Sequence, residues 1–415
     1  MKKIGYLLLI LMVFPLRYAY GNENELRNEI MELKSMVNEQ QKQINQLLER
    51  VENVKKEAKE EVNEAKKEIV ADAKKELKLP EWLSRTKIGG KAYLQYRYEL
   101  KDSNKDMNDF DVTRFYFTVE SDLQDRVSMK MTTDMYPRVK SSDGKDSTEG
   151  DYEVRLKHGF LTFKDYPFKD LNILFGQADL PWVPYEEDLW GYRVQGTIFP
   201  DREGLLTSTD LGIGVKGKLF NEILDLHLAL VNGEGWNDPE QNKYKDFQGR
   251  LTFRPFKGKE YLEDLTLSLF GVVGNYDKDE DRNRFISQIA FKKKDFATLA
   301  GEYLRARDPR GKRAKKEPSL EGISGNTTGE GFGIFGVVNS NIFGLTNKFD
   351  LFGRFDSFDP DEDISNNSHK RYIYGIAYKW NKNLTLLINN QREDFDQGAN
   401  RKDTNTFFWQ AELKY

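Results

Sequence analysis

A period-two alternation of apolar and polar residues restricts the fold of this chain more than any other feature. It begins near Ile88 and returns about sixteen times before residue 415. In the first run Leu94 and Tyr96 share one side and Gln95 and Arg97 the other, because successive side chains of a β-strand point to opposite faces. The runs lie near 88–100, 112–120, 126–136, 153–164, 171–178, 210–219, 223–232, 247–255, 264–275, 284–291, 296–307, 331–338, 348–357, 371–380, 384–392 and 406–415. An even number of such strands predicts an all-β transmembrane barrel of about 16 antiparallel strands.

The connectors between the runs alternate in length. The short ones are 121–125, 165–170, 220–222, 292–295 and 381–383, and the long ones are 137–152, 179–209, 308–330, 357–370 and 393–405. Bacterial membrane barrels combine short turns at one end with long loops at the other. A soluble sandwich or propeller also has many short alternating strands, so periodicity alone leaves that alternative open.

The last strand favours the membrane barrel. Its apolar face carries Phe407, Trp409, Leu413 and Tyr415, and its other face is polar and charged. A strand that is apolar on one side and charged on the other suits a wall between lipid and water. We expect this aromatic C-terminal strand to be recognised by the barrel-assembly machinery.

Residues 1–21 have the order of a secretory signal peptide. Lys2 and Lys3 precede the apolar run 7–14, and we expect cleavage after Gly21. An uncleaved anchor is the alternative, although the run is short for a bilayer span. The chain has no cysteine, which fits an exported protein whose closed hydrogen-bonded wall needs no disulfides. The expected location is the bacterial outer membrane.

Residues 22–79 predict a long helix, since they lack glycine, proline and aromatic residues. Apolar residues recur at spacings of three and four, with Ile or Val at a positions and mostly Leu at d positions: Leu26, Ile30, Leu33, Val37, Gln40, Ile44, Leu47, Val51 and Val54. This seam predicts an α-helical coiled coil in the periplasm, followed by a linker at 80–87 and the barrel at 88–415. A single charged helix is the alternative, and the a and d residues by themselves favour two strands.

A group of short motifs lies between Phe175 and Lys218. It comprises Phe175-Gly176-Gln177, Pro181, Glu186, Glu187, Arg193, Pro200-Asp201-Arg202 and Asp210-Leu211-Gly212-Ile213, with a later motif at Phe352-Gly353-Arg354-Phe355-Asp356. In these motifs the chain resembles the phosphate-selective porin O and P family. The resemblance implies a sixteen-stranded, trimeric diffusion channel whose third external loop folds into the lumen. It does not extend to phosphate selectivity, because the family's ladder of lumenal arginines has no residue-by-residue match here.

The connector 179–209 is rich in proline and aromatic residues, which predicts a packed loop that narrows the pore. The predicted constriction residues are Glu186, Glu187, Asp188, Arg193 and Arg202. The alternative is an external loop that binds nothing.

Basic residues outnumber acidic ones at positions predicted to face the lumen. The basic set is Arg97, Arg114, Lys130, Arg155, Lys216, Lys218, Arg254 and Arg354. An excess of cations in a narrow aqueous channel raises the local concentration of anions, so we expect a modest anion preference. An ion-paired wall with little selectivity is the alternative.

No catalytic site, cofactor or metal site is predicted. The chain has only three histidines, and none lies in a serine-nucleophile signature. Aspartates at 277, 279 and 281 and again at 359, 361 and 363 repeat the start of a calcium loop, but neither series reaches the required glutamate. The formal net charge of −4 argues against nucleic acid as a partner.

These patterns predict passive transport of small hydrophilic solutes through a barrel embedded in outer-membrane lipid, and the family resemblance implies that the barrel is a homotrimer. The alternative function is structural. In that case the coiled coil would tether or space the outer membrane from the cell wall by binding peptidoglycan.

Overall fold

The computed structural model describes residues 23–76, 81–101, 108–137, 152–260 and 262–415. The chain divides after Pro80 into two units. The predicted signal peptide at 1–21 lies outside the described residues.

In the described part of the first unit, helix α1 spans Glu23–Glu76 and has 54 residues. Side chains of the predicted seam, such as Leu33, Val37 and Leu47, are exposed along it. Among the described residues no helix combines the length and the apolar character that a membrane span requires. The second unit begins with a short helix, α2 (Glu81–Ser84), so the predicted linker at 80–87 is partly helical and includes the start of the first strand.

Sixteen strands form a closed antiparallel barrel, which confirms the predicted fold class. They are β1 (Thr86–Lys101), β2 (Asn108–Gln124), β3 (Val127–Pro137), β4 (Tyr152–Phe163), β5 (Leu171–Asp179), β6 (Thr209–Leu219), β7 (Leu224–Val231), β8 (Asp246–Phe253), β9 (Leu265–Asp277), β10 (Glu280–Lys293), β11 (Ala297–Pro309), β12 (Asn326–Asn339), β13 (Phe349–Asp359), β14 (His369–Lys379), β15 (Leu384–Phe395) and β16 (Thr404–Lys414). Each strand pairs with its neighbours in sequence, and β16 pairs with β1.

The two faces of the wall follow the predicted alternation. On β16, Trp409 and Leu413 are exposed on the outer surface, whereas Gln410 and Glu412 are buried on the inner one. Large apolar side chains cover the outside of the barrel, as expected for a surface that contacts lipid.

Tyr415 completes the closure between the first and last strands. Its backbone exchanges two hydrogen bonds with Gly90, and its phenol donates to the carbonyl oxygen of Tyr116 at 3.0 Å. A Cβ atom at position 90 would lie 2.5 Å from the Tyr415 hydroxyl and 2.0 Å from the Tyr116 carbonyl oxygen. Glycine is therefore required where the terminal tyrosine crosses β1.

We call the end at which β1 begins and β16 finishes the turn end, and the opposite end the loop end. Connections at the loop end are mostly the long ones. The exception is the two-residue turn Lys278–Asp279, because β9 and β10 continue to pair until Asp277 faces Glu280. The short helices are α3 (Val183–Trp190), α4 (Phe199–Arg202) and α5 (Arg310–Arg313), with single 3₁₀ turns at Arg193–Gln195, Pro318–Leu320, Ser340–Phe343 and Gln397–Ala399.

Candidate passage through the barrel

The connection between β5 and β6, residues 180–208, folds into the barrel; we call it the inner loop. Trp182 packs 5.4 Å from Phe270 of β9, centroid to centroid. Trp190 packs edge-on against Phe335 of β12 and Phe352 of β13 at 5.5 and 5.7 Å. These tryptophans are almost fully buried. The inner loop is therefore fixed by apolar packing against the side of the barrel formed by β8–β16, which we call the docking wall.

Polar side chains of the docking wall bind the backbone of the inner loop. Arg250 and Arg284 donate from Nε to the carbonyl oxygens of Pro181 and Leu205 at 2.9 and 3.0 Å. Gln391 and Gln410 donate to the carbonyl oxygens of Gln195 and Val194, each at 2.9 Å. An irregular segment carries many unpaired backbone carbonyls, and these side chains satisfy some of them inside the barrel.

A buried cluster of charges lies between α3 and the docking wall. One Nη atom of Arg354 is 2.9 Å from both Glu186 and Glu302, and Arg354 Nε donates to Asp356 at 2.8 Å. Burial raises the pKa of Glu186 even though Arg354 lies beside it. The two glutamates share one guanidinium group, so protonation of one carboxyl relieves their repulsion.

A second buried ion pair holds the end of the inner loop. Arg371 donates to Glu203 at 2.9 Å, and His369 Nε2 lies 3.2 Å from the same carboxylate. Burial alone would raise the pKa of Glu203, but Arg371 and His369 hold it well below its ordinary value of 4.5.

A cavity of about 710 Å³ remains between the inner loop and the opposite side of the barrel. Strands β1–β4 line that side, which we call the open wall. Lys91, Lys130 and Lys157 line the cavity from the open wall, and Glu187 and Arg193 line it from the inner loop. We take this space as the candidate passage.

Among the described residues that line the candidate passage, not every charged side chain has a partner of opposite charge. Glu187 pairs with Arg193 of its own loop at 2.6 Å, and Lys130 lies 3.5 Å from Glu120. Lys157 instead lies over the ring of Tyr116, with Nζ 4.7 Å from the centroid, and no carboxylate among the described residues pairs with it. The aromatic face orients this ammonium group without neutralising its charge.

The five predicted constriction residues occupy different environments. Glu187, Asp188 and Arg193 line the passage, whereas Glu186 is buried against Arg354 of the docking wall. Asp188 is exposed and pairs with Lys292 at 2.8 Å. Arg202 donates to the carbonyl oxygen of Thr197 in its own loop and to Gln391 of the docking wall, and burial together with nearby Arg371 lowers its pKa to about 9. Their role in narrowing the pore stays a prediction.

Two of the predicted lumen-facing cations are placed differently from the prediction. Arg354 does point inward, but it is buried under the inner loop and cannot present its charge to a permeant ion. Arg254 lies in the turn after β8, where it donates to the Glu222 carbonyl oxygen. A period-two pattern predicts the direction in which a side chain points, but it does not show which other residues cover that side chain.

The remaining predicted cations lie on inward-facing positions or at the turn end. Arg97 and Arg114 are paired with Asp109 and Asp134 at 3.0 and 2.9 Å. Arg155 stacks 3.6 Å from the Tyr136 centroid. Lys216 and Lys218 line a second cavity of about 790 Å³, which also contacts the base of the inner loop.

Two of the three histidines and Asp361 of the second aspartate series are engaged in structural contacts. His158 Nε2 is 2.8 Å from Asp179, and His369 faces Glu203. Asp361 is fully buried and accepts from Arg310 at 2.6 Å, so this carboxylate bridges two loops rather than opening a calcium site. No cluster able to hold a metal ion is found among the residues that the structure describes.

Solved structures share this architecture. The anion-selective porin from Comamonas acidovorans aligns with a TM-score of 0.57 at 9% identity, over 80% of this chain and 99% of that one. Salmonella typhi OmpF, in a complex with daunomycin, gives 0.56 at 10% identity over 80% and 97%. Pseudomonas putida OprB gives 0.55 at 10% identity over 80% and 94%. The barrel has a porin fold.

Identities near one in ten show the fold and leave the activity open. No protein-family model and no curated protein sequence matches the chain. The resemblance to the phosphate-selective porin O and P family therefore remains an expectation.

The apolar part of the docking wall was not predicted from the sequence. Phe270, Ile286, Leu304, Phe335 and Phe352 all point inward and pack against the inner loop or its neighbours. The signal was present, because strands such as β9 and β12 carry apolar residues on both faces, which is typical of strands covered on both sides.

Proposed function

We propose that this chain forms an outer-membrane channel through which small hydrophilic solutes diffuse passively, with a modest preference for anions. The observation that carries the proposal is the candidate passage itself. Its open wall presents lysines, one of them unpaired with any described carboxylate, while the carboxylate of Glu187 is neutralised by Arg193. A positive surface in a confined aqueous space raises the local concentration of anions.

The direct test is the reversal potential of single channels in a KCl gradient across a planar bilayer. The expected potential lies on the chloride side of zero. The variant Lys157→Gln should move it toward zero, whereas Lys382→Gln, in the β14–β15 turn, should leave it unchanged. A wild-type potential on the potassium side would overturn the anion preference, and an absence of conductance would overturn the channel.

The finer preference for phosphate, which the family resemblance suggests, has its own test. Phosphate, chloride and neutral sugars are added in turn at equal concentration during chloride conduction. Phosphate that reduces the chloride current at concentrations where sugars do not would support a phosphate-like preference. Equal effects of phosphate and sugar would limit the proposal to size-selective diffusion.

We further propose export by residues 1–21, assembly through the C-terminal strand, and a homotrimer whose N-terminal helices form a periplasmic coiled coil. The exposed seam of α1, including Leu33, Ile44 and Val51, supports the coiled coil because such side chains are normally covered by partner helices. Crosslinking of the purified protein should give trimers. Dimers alone would contradict the proposed trimer.

The tether is the second candidate function and rests on the same helix. Its 54 residues extend over about 80 Å at 1.5 Å per residue. Deletion of residues 23–76 should leave single-channel conductance intact and alter the spacing between outer membrane and cell wall. Unchanged spacing between the outer membrane and the cell wall would contradict the proposed tether without affecting the proposed channel.

A further inference from the structure

The outer surface of the barrel is indented across β9–β12. A groove of about 650 Å³ crosses this region, and its apolar lining includes Leu269, Ile289, Tyr303 and Ile334. The indentation coincides with Gly301, where an added Cβ atom would meet no other atom within 4 Å. The groove therefore exists because a lipid-facing position of β11 carries no side chain.

Along β11, the outward-facing positions change from apolar at the groove to charged toward the loop end. Gly301 lies between Ile289 and Ile334, and in the next row Tyr303 lies between Ser287 and Phe332. The following outward positions of the same strand are Arg305 and Arg307, toward the loop end. Tyrosine is enriched where hydrocarbon meets water, so Tyr303 marks the edge of the membrane and the two arginines lie at the level of lipid headgroups.

Both arginines remain accessible. Arg305 lies 3.2 Å from Glu362 and Arg307 lies 3.8 Å from Asp281, with about half of each arginine side chain exposed to solvent. Ion pairs between exposed partners contribute little free energy in water. A phosphate group can compete for these guanidinium groups, because it accepts several charge-assisted hydrogen bonds at once.

The spacing matches one lipid molecule. Arg305 is four residues from Gly301, or about 13 Å along an extended strand. Arg305 and Arg307 are neighbours on the same face, about 7 Å apart along the strand. We propose that this groove and the two arginines form a binding site for one anionic lipid, with an acyl chain over Gly301 and the phosphate between Arg305 and Arg307.

The test uses native mass spectrometry of the full-length protein in detergent, titrated with phosphatidylglycerol or with phosphatidylcholine of the same acyl chains. The wild type should bind phosphatidylglycerol about tenfold more tightly, a difference of about 1.4 kcal/mol. Gly301→Leu places a side chain in the groove at a position where its Cβ atom meets no other atom within 4 Å, and it should weaken the binding of both lipids. Arg305→Gln with Arg307→Gln should remove the preference and retain the phosphatidylcholine binding.

Two matched controls lie outside the groove on the same outer surface. Gly353→Leu makes the same change on β13, where a Cβ atom would lie 3.7 Å from its nearest neighbour. Arg392→Gln removes an exposed outward arginine on β15. Both should bind lipid as the wild type does, and circular dichroism should show a folded barrel for every variant.

Three results would overturn the site. They are equal wild-type affinity for the two lipids, wild-type binding by Gly301→Leu, and a change in oligomer mass with Gly301→Leu. The last result would make the groove an interface between copies of this chain. None of these results depends on conductance, so the site and the proposed channel can fail separately.

Discussion

Arg371 of β14 donates a hydrogen bond from Nη1 to Oε1 of Glu203 at 2.9 Å, and this buried ion pair joins the docking wall to the far end of the inner loop. The two residues are 168 positions apart in sequence. Both side chains are almost completely buried. Their pairing, together with the packing of Trp182 and Trp190, keeps the inner loop against one wall and leaves the candidate passage along the other.

Removing one partner of this pair should release the end of the inner loop. Arg371→Gln leaves the Glu203 carboxylate buried without its main counter-charge, which typically costs about 3 to 5 kcal/mol. We expect faster protease cleavage within 180–208 and a lower free energy of unfolding in urea. The double variant Glu203→Gln with Arg371→Gln should recover part of the loss, because the Glu203 carboxylate is then no longer buried without its counter-charge, although Glu393 still loses its contact with Arg371.

The exposed pair Lys218 and Glu222 is the control for this change. Its atoms lie 3.3 Å apart, with about half of each side chain exposed. Lys218→Gln should cost less than about 1 kcal/mol. Similar losses for Arg371→Gln and Lys218→Gln would contradict the anchoring role of Arg371.

Acid should weaken the docking of the inner loop at Glu203. The pKa of Glu203 lies below its ordinary value of 4.5, so the folded protein binds this proton more weakly than the unfolded chain does. The stabilisation is present above about pH 4.5 and is lost as the pH falls further. Protease protection of the inner loop should therefore decrease on acidification, and less so in Glu203→Gln.

Glu186 should show the opposite dependence. Burial raises its pKa, so its contribution to stability decreases as the pH rises above the ordinary value of 4.5. The variant Glu186→Gln should reduce the loss of loop protection at higher pH. Identical pH profiles for the two glutamine variants would show that neither carboxyl controls docking.

Glu186 and Glu187 should also differ in their effect on selectivity, although they are adjacent in sequence. Glu187→Gln frees the charge of Arg193 inside the passage and should shift the reversal potential further toward chloride. Glu186→Gln changes a buried group behind the loop and should leave the potential nearly unchanged. Equal shifts would mean that the passage does not run along the open wall.

Much of the architecture follows from local pattern. Alternation along β1 and β16 predicted both the strands and their faces, because the direction of a side chain in a strand depends only on its position in the pleat. The even number of runs and the aromatic last strand indicated a closed wall. The long helix was also predicted from the sequence, and in the structure it spans Glu23–Glu76.

The candidate passage depends on contacts between distant residues, and the sequence could not supply them. Alternation predicted that Arg354 points inward, but only its contacts with Trp190 and Glu186 show that its charge is shielded from the aqueous passage. Glu186 and Glu187 look equivalent in sequence, yet neighbouring side chains of a helix point in different directions, so the first reaches the docking wall and the second the passage. A wall of about sixteen strands with a polar inside could be predicted from the residues alone, since strand periodicity is local. The position of the inner loop and the identity of the charges that face water follow from the folded arrangement, since burial arises from contacts between segments far apart in the chain.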